Sequence, residues 1–162
     1  MSLSPAEIQE GLPYSHPFLF VDELLKVDED GAEGVYTFPV DSYFYKGHFP
    51  EYPITPGVIL TECMAQIGVV AYGILLYTND NPGARIRMVD PEPIDVSIAL
   101  ADTYIDFKTP VFPGDKVKVT SSLVYYRFHK LKCNVIMHKE DGSVACKGTI
   151  SGVIFPHSKM KK

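Results

Sequence analysis

The chain has 162 residues, of which 46% are hydrophobic, and a formal net charge of −5 at pH 7. The length predicts one globular domain, residues 1–162, with a sizeable core, and the negative net charge argues against general nucleic-acid binding. The three cysteines have no CxxC spacing, which indicates neither a disulfide framework nor a zinc site, so we expect reduced, buried thiols in a cytoplasmic protein.

The first part of the chain predicts a short helix followed by two strands. Ser4-Pro5-Ala6-Glu7 combines a capping-box pattern with proline at the first helical position, and Gly11 can end this helix. Residues 18–27 and 33–40 are predicted to be strands joined by an acidic turn. His16, a loop histidine before proline, is interpreted as structural rather than catalytic.

A long apolar segment follows, and it is predicted to be a helix from Thr55-Pro56 to about Tyr77. Threonine is a favourable N-cap, and proline at the first helical position costs no hydrogen bond. A helix that is apolar on all sides should be surrounded by the rest of the chain. Its length also approaches that of a membrane span, but polar residues in its first half and the later strands favour a buried central helix.

Glu62 is a carboxylate embedded in this apolar helix. Gln66, four residues later, shares its helix face and could hydrogen-bond the carboxyl group. Burial without a cationic partner favours the neutral form of a carboxyl, so Glu62 could act as a general acid. Considered alone, however, Glu62 is better explained as a structural residue at a dimer interface or at the rim of the helix.

The segment that enters the helix adds a histidine and a glycine. His48 lies in GHFP, and prolines at positions 50, 53 and 56 keep the segment extended, so that His48 could meet Glu62 of its own or of a neighbouring chain. The backbone N–H of Gly57, at the helix N-terminus, can stabilise negative charge. A base, an acid and an oxyanion site are therefore predicted within one short stretch.

The run GHFPEYPITPGVILTECMAQ, residues 47–66, resembles the active-site signature of the (3R)-hydroxyacyl-[acyl carrier protein] dehydratases of the FabZ type, which have the hotdog fold. His48, Glu62 and Gly57 match the family's histidine, acid and helix-start glycine. Glutamate at position 62 is similar to the FabZ type, whereas the related FabA type carries aspartate there. The signature is long, so the resemblance is specific.

Residues 12–22, LPYSHPFLFVD, resemble the family's LPHRYPFLLVD-like opening segment with several changes. Tyr14, Ser15 and His16 replace the usual His, Arg and Tyr. We expect these changes to alter a local ion pair or a subunit contact and to leave the catalytic pair untouched.

Residues 84–106 depart most from the family, which leaves the choice of substrate open. Arg85 and Arg87 could attract an acidic carrier protein or a phosphopantetheine phosphate, although solvated surface charge is the preferred interpretation. A second basic group on the later strands has the same two interpretations, an exposed face or a docking site for an acidic partner. Its members are Lys116, Lys118, Arg127, Lys130 and Lys132.

The rest of the chain predicts strand after strand, at 95–108, 116–128, 131–139 and 144–155. Long antiparallel strands can curl around one buried helix. We therefore predict an α+β hotdog domain in which a sheet of about five to six strands wraps the long central helix. Residues 157–162 are expected to form a flexible basic tail.

The resemblance implies elimination of water from 3-hydroxyacyl thioesters on acyl carrier protein, giving trans-2-enoyl thioesters in fatty-acid or related lipid biosynthesis. His48 would be the base, Glu62 the acid and Gly57 the oxyanion donor, with Gln66 supporting Glu62. An apolar tunnel beside the helix would hold the acyl chain, with Phe49, Val58 and Ile59 as lining. Neither a metal nor a nicotinamide or flavin cofactor is expected.

In the family, two subunits form a homodimer with a continuous sheet, and each active site takes its histidine from one subunit and its acid from the other. A trimer of dimers is common there. Two alternatives remain at this point, an acyl thioesterase of the hotdog fold and a non-catalytic acyl-binding protein. The sequence leaves open the acyl chain length and the choice between acyl carrier protein and coenzyme A.

Overall fold

A long helix lies against one face of a six-stranded antiparallel sheet in the computed structural model, which describes residues 2–84 and 96–156. The chain begins with α1 (Pro5–Glu10), and the central helix spans Gly57–Asp80. The strands are β1 (Glu23–Asp28), β2 (Gly31–Thr37), β3 (Val96–Phe107), β4 (Lys116–Arg127), β5 (Lys130–Lys139) and β6 (Val144–Pro156). Their order in the sheet is β1-β2-β4-β5-β6-β3, so β1 and β3 are its edges.

The predicted hotdog arrangement of helix and sheet is confirmed, and the four later strands agree with their predicted bounds to within one residue. The first two strands are shorter than predicted. Residues 18–22 precede β1. The side chain of Gln66 binds the carbonyl of Phe18 and the N–H of Phe20, whereas the N–H of Asp22 already bonds to Val35 of β2. The predicted strand or flap at 84–93, Arg85, Arg87 and the tail at 157–162 lie almost wholly outside the described residues.

The central helix forms the core of the fold. It is long and apolar enough to cross a membrane, but 78% of its most apolar 18-residue window is buried inside the fold. Close approach of helix and sheet depends on Gly68, where a Cβ would lie 3.1 Å from side-chain atoms of both Ser121 and Val135. The surrounding strands therefore supply the cover that an all-apolar helix needs.

The middle of the central helix is irregular. Gly57–Ala65 and Ala71–Asp80 are α-helical, whereas Gln66–Val70 forms a π-helical turn. Such a turn accommodates an extra residue and is often found at functional sites. Here it begins at Gln66, the residue predicted to support Glu62.

The three cysteines are free and buried in the core, as the sequence predicts. The Sγ atom of Cys146 lies 3.2 Å from the Sδ atom of Met64. Burial raises the pKa of Cys133 and of Cys146 to about 12, and raises that of Cys63 well above its usual value. All three thiols therefore stay protonated at neutral pH, in the form that is a poor nucleophile.

We expect no cysteine of the folded protein to react with a thiol-specific disulfide reagent at neutral pH, and all three to react after unfolding in guanidinium chloride. The reason is the combination of burial and raised pKa. Counting released chromophore before and after unfolding measures this directly. Rapid labelling of any cysteine in the folded protein would contradict the packing described here.

Candidate active site

His48 lies on the segment between β2 and the central helix, and its ring orientation is fixed by the backbone. Its Nδ1 atom is 2.9 Å from the carbonyl oxygen of Ile54. Because a carbonyl oxygen only accepts hydrogen bonds, Nδ1 carries a proton, and the atom left to act as the basic nitrogen of the ring is Nε2. The stacked ring of Phe49, with its centroid 4.3 Å away, supports the same orientation. His48 is therefore arranged as a base that acts through Nε2.

The start of the central helix differs from the prediction. Thr55 was expected to cap the helix, but Pro56 occupies the N-cap position and no side chain caps it. The hydroxyl of Thr55 instead lies 2.7 Å from the Tyr45 hydroxyl, and its N–H donates to the carbonyl of Val111. These bonds hold Thr55 outside the helix. The N–H groups of the first turn are consequently left without a side-chain acceptor at the positive end of the helix dipole.

Gly57, the first residue of the helix, is covered by the ring of Phe107 from the end of β3. A Cβ at position 57 would lie 3.0 Å from Cζ of this ring, which is closer than side chains normally approach. Glycine therefore allows β3 to pack onto the helix N-terminus. The predicted oxyanion position is half-buried, and an apolar ring shields it from water on one side.

Glu62 lies in the second turn of the helix, where Gln66 holds it. Nε2 of Gln66 donates to Oε1 of Glu62 over 3.0 Å, which is the hydrogen bond that their spacing predicts. The same amide donates to the carbonyl of Phe18 over 3.0 Å and accepts from the N–H of Phe20 over 2.8 Å. Gln66 is fully buried. It therefore ties the carboxyl of Glu62 to the segment that precedes β1.

A cavity of about 130 Å³ adjoins Glu62. Its other lining residues come from the central helix, from β3, from β6 and from the segment before β1, and they are Tyr14, Ala65, Val69, Val70, Ile98, Ala99, Leu100 and Gly152. Apart from Glu62 and the hydroxyl of Tyr14, the lining side chains are apolar. Such a cavity suits an acyl group that carries one polar function near its reactive end.

The residues predicted to line an acyl tunnel do not belong to this cavity. Val58 is 76% exposed, Phe49 is also exposed, and Ile59 is buried in the core. Their assignment to the tunnel stays a prediction. Two of the residues that do line the cavity, Ile98 and Leu100, lie in the region that departs most from the family, and the resemblance already implied that the stretch from Leu100 can line or gate an acyl tunnel.

Tyr14 is the second polar residue of this cavity after Glu62, and the sequence did not assign it to the site. The changes at Tyr14, Ser15 and His16 were expected to leave the catalytic pair untouched, and for Tyr14 this is wrong, because it lines the cavity beside Glu62. Gln66 holds the segment before β1 against the helix through hydrogen bonds to residues more than 40 positions earlier in the chain, and Tyr14 lies at the start of this segment. A local sequence pattern carries no signal for such a contact.

Within one chain, His48 and Glu62 have separate hydrogen-bond partners. Across residues 2–84 and 96–156, no hydrogen bond or ion pair joins these two side chains, and His48 does not line the cavity that contains Glu62. In the same part of the chain, no group of three or more His, Cys, Asp or Glu side chains is placed to hold a metal ion. The acid and the base are thus each held in orientation by a different partner, without a direct bond between them.

The comparisons with known proteins identify the family. The protein-family model described as the FabA-like domain matches residues 12–151. The 3-hydroxyacyl-[acyl-carrier-protein] dehydratase FabZ of Acinetobacter baylyi is 30% identical over 164 residues, which cover 100% of this chain and 99% of the relative. The chain belongs to the FabA-like family. The FabZ enzyme of Bacillus thuringiensis is 34% identical over 153 residues, which cover 94% of this chain and 96% of the relative, so this family member is of the FabZ type.

Solved structures support the hotdog fold of this FabZ-type chain. The dehydratase heterocomplex ApeI:P of Xenorhabdus doucetiae matches with a TM-score of 0.71 and 12% identity, covering 98% of this chain and 95% of that chain. A mutant of the thioesterase PA1618 from Pseudomonas aeruginosa matches with a TM-score of 0.66 and 11% identity, covering 96% of both chains. Because dehydratases and thioesterases share this fold, the fold alone does not select the reaction.

Replacing Gln66 by leucine is expected to lower the free energy of unfolding by about 2–4 kcal/mol, because the buried N–H of Phe20 and the carbonyl of Phe18 lose their partner. Loss of the hydrogen bond to Glu62 should also reduce turnover. Denaturant unfolding measures the first effect. The matched control is Gln9→Leu, which breaks two similar bonds to Asp22 and Leu24 away from the cavity and should leave turnover unchanged. Unaltered stability of Gln66→Leu would contradict this description.

Proposed function

We propose that this FabZ-type protein dehydrates 3-hydroxyacyl thioesters carried by acyl carrier protein to trans-2-enoyl thioesters, in cytoplasmic fatty-acid or related lipid biosynthesis. The observation that carries the proposal is how hydrogen bonds hold the side chains of His48 and Glu62. Nδ1 of His48 bonds to the carbonyl of Ile54, which leaves Nε2 for the substrate, and Glu62 is held by Gln66 at an apolar cavity, in a chain whose curated relatives are FabZ dehydratases.

The reaction follows from the chemistry of these two groups. Nε2 of His48 accepts the proton from C2 of the substrate, and the electrons of that bond form the C2–C3 double bond. Protonated Glu62 donates to the C3 hydroxyl, which leaves as water. Negative charge develops on the thioester oxygen during this step, and the N–H of Gly57, at a helix N-terminus that no side chain caps, would stabilise it. These steps need no metal and no redox cofactor.

A second copy of the chain is proposed to complete each site. Strand β3 is an edge of the sheet, and it exposes Leu100, Tyr104 and Phe107, of which Tyr104 is 71% exposed. An exposed edge with apolar side chains favours pairing with another strand. Antiparallel pairing of two β3 edges would continue the sheet in a two-fold homodimer, which could also assemble further into a trimer of dimers.

The absence of a direct bond between the acid and the base within one chain is consistent with this homodimer. In it, the histidine of one copy would serve the carboxyl of the other. The exposed side chains of Phe49 and Val58 would be covered by the partner, where they would line an acyl tunnel with Ile59. The acidic carrier protein would deliver the thioester to the opening between the copies.

Turnover of enoyl thioesters tests the proposal. Purified protein is incubated with crotonyl and longer trans-2-enoyl thioesters, on acyl carrier protein and on coenzyme A, and the products are followed by mass spectrometry together with a free-thiol assay. We expect addition of one water to an intact thioester. Release of free thiol without that product would instead support a thioesterase, and binding with neither reaction would support a non-catalytic acyl-binding protein.

A further inference from the structure

The hydroxyl of Tyr14 is an unused donor beside Glu62. Tyr14 packs against the core and lines the same cavity as Glu62. Within the described residues, its hydroxyl has no hydrogen-bond partner. Two other tyrosines of the core differ in this respect: the hydroxyl of Tyr45 bonds to that of Thr55, and the hydroxyl of Tyr72 donates to the carbonyl of Glu29 over 2.7 Å.

The position of the Tyr14 hydroxyl follows from its lack of a partner. No fully buried side-chain nitrogen or oxygen atom in the described part of the chain is without a hydrogen bond. The hydroxyl of Tyr14 must therefore reach space that water or a ligand can enter. Since the side chain is only partly exposed and lines the cavity, the available partners are water and a molecule bound in that cavity.

The hydroxyl is also held in its protonated form. Burial, and then the nearby carboxylate of Glu62, raise the pKa of Tyr14 well above its ordinary value. A phenol in this state keeps its proton at neutral pH and can donate a hydrogen bond. It offers a neutral donor beside the group that protonates the leaving oxygen.

We propose that Tyr14 contacts the substrate and donates a hydrogen bond to the C3 oxygen that Glu62 protonates. The C3 hydroxyl oxygen has two lone pairs; Glu62 supplies a proton to one, and Tyr14 donates to the other. When the C3–O bond breaks, the oxygen leaves as water that still accepts from Tyr14. In the hydration direction, the same donor holds the attacking water while Glu62 removes its proton. This inference rests on the proposed dehydration.

The geometry of the segment supports a positioned donor. Tyr14 precedes Phe18 and Phe20, whose backbone groups are bound by the Gln66 side chain that also binds Glu62. The N–H of Phe18 further donates to the carbonyl of Ser15 over 2.8 Å. The segment that follows Tyr14 is therefore tied to Glu62 through one buried amide.

Tyr14→Phe tests the proposal, because it removes only the oxygen and keeps the ring in the core. We expect kcat for enoyl-thioester hydration to fall about 10- to 100-fold, as when a positioned transition-state donor is lost. KM for the enoyl substrate should change less than about 2-fold, because this substrate has no C3 oxygen to bind, so the loss falls on the transition state. The melting temperature should be unchanged, because the hydroxyl has no partner within the protein.

The matched control is Tyr72→Phe, which removes a phenol oxygen that bonds to the backbone away from the cavity. This variant should lower the melting temperature by about 2–4 °C and leave kcat unchanged. If Tyr14→Phe has wild-type kcat while the wild type is active, the Tyr14 inference is overturned and the proposed function stands. A fall in kcat accompanied by a fall in melting temperature like that of Tyr72→Phe would also overturn it. An inactive wild type would overturn both proposals.

Discussion

His48→Ala and Glu62→Gln are each expected to lower the rate of enoyl-thioester hydration by about 10²–10⁴-fold. His48→Ala removes the base whose Nε2 is left for the substrate by the bond from Nδ1 to Ile54. Glu62→Gln keeps the size of the side chain and an oxygen that can accept from Gln66, but it removes the transferable proton. Initial rates at saturating substrate measure the change in kcat.

Two matched controls separate this chemistry from general effects of substitution. His138→Ala removes a half-buried histidine of β5, and Glu140→Gln neutralises an exposed carboxylate in the following turn. Both should retain wild-type turnover, and all four variants should unfold at denaturant concentrations close to that of the wild type. A His48→Ala or Glu62→Gln protein that keeps more than about one tenth of wild-type kcat would refute the assigned roles.

Mixing the two inactive variants is expected to restore about one quarter of wild-type activity, because a two-fold dimer has two sites. In a mixed dimer, one site has lost both groups, whereas the other combines His48 from the Glu62→Gln chain with Glu62 from the His48→Ala chain. Random exchange makes about half of the dimers mixed, and half of their sites are intact. The activity of the unfractionated mixture measures this effect. Co-expression of differently tagged chains and two-step purification then isolate the mixed dimer, which should have about one half of wild-type activity because one of its two sites is intact.

The matched comparison mixes each inactive variant with the double variant His48→Ala/Glu62→Gln, which can form no intact site and should stay inactive. Recovery that appears only in the first mixture requires the acid and base to come from different chains. Mixed dimers that form but remain inactive would contradict the shared site. They would place His48 and Glu62 of one chain in the same site instead.

The hydrophobic pattern predicted the elements of this fold well. The central helix is apolar on all sides, and the later strands are rich in β-branched and aromatic residues, so burial and secondary structure agree along most of the chain. The hydrogen bond from Gln66 to Glu62 was predictable for a similar reason, because residues four apart on a helix are neighbours.

The features that the sequence did not predict depend on contacts between distant residues. Thr55 bonds to Tyr45 and Val111 rather than capping the helix, so the helix begins one residue later. The strand predicted from residue 18 starts only at Glu23, and a glutamine side chain binds the backbone before it. Tyr14 reaches the cavity through that same amide. None of these contacts is marked by a periodic pattern in the local sequence.

The central claim is that water is exchanged at C3 of an intact thioester, and hydration of a trans-2-enoyl thioester in heavy-oxygen water tests it most directly. Mass spectrometry then locates the label. We expect the heavy oxygen in the C3 hydroxyl of a 3-hydroxyacyl thioester, with none in free acid. Heavy oxygen in a released carboxylate, together with free thiol, would contradict the claim, because water would then have attacked the carbonyl carbon.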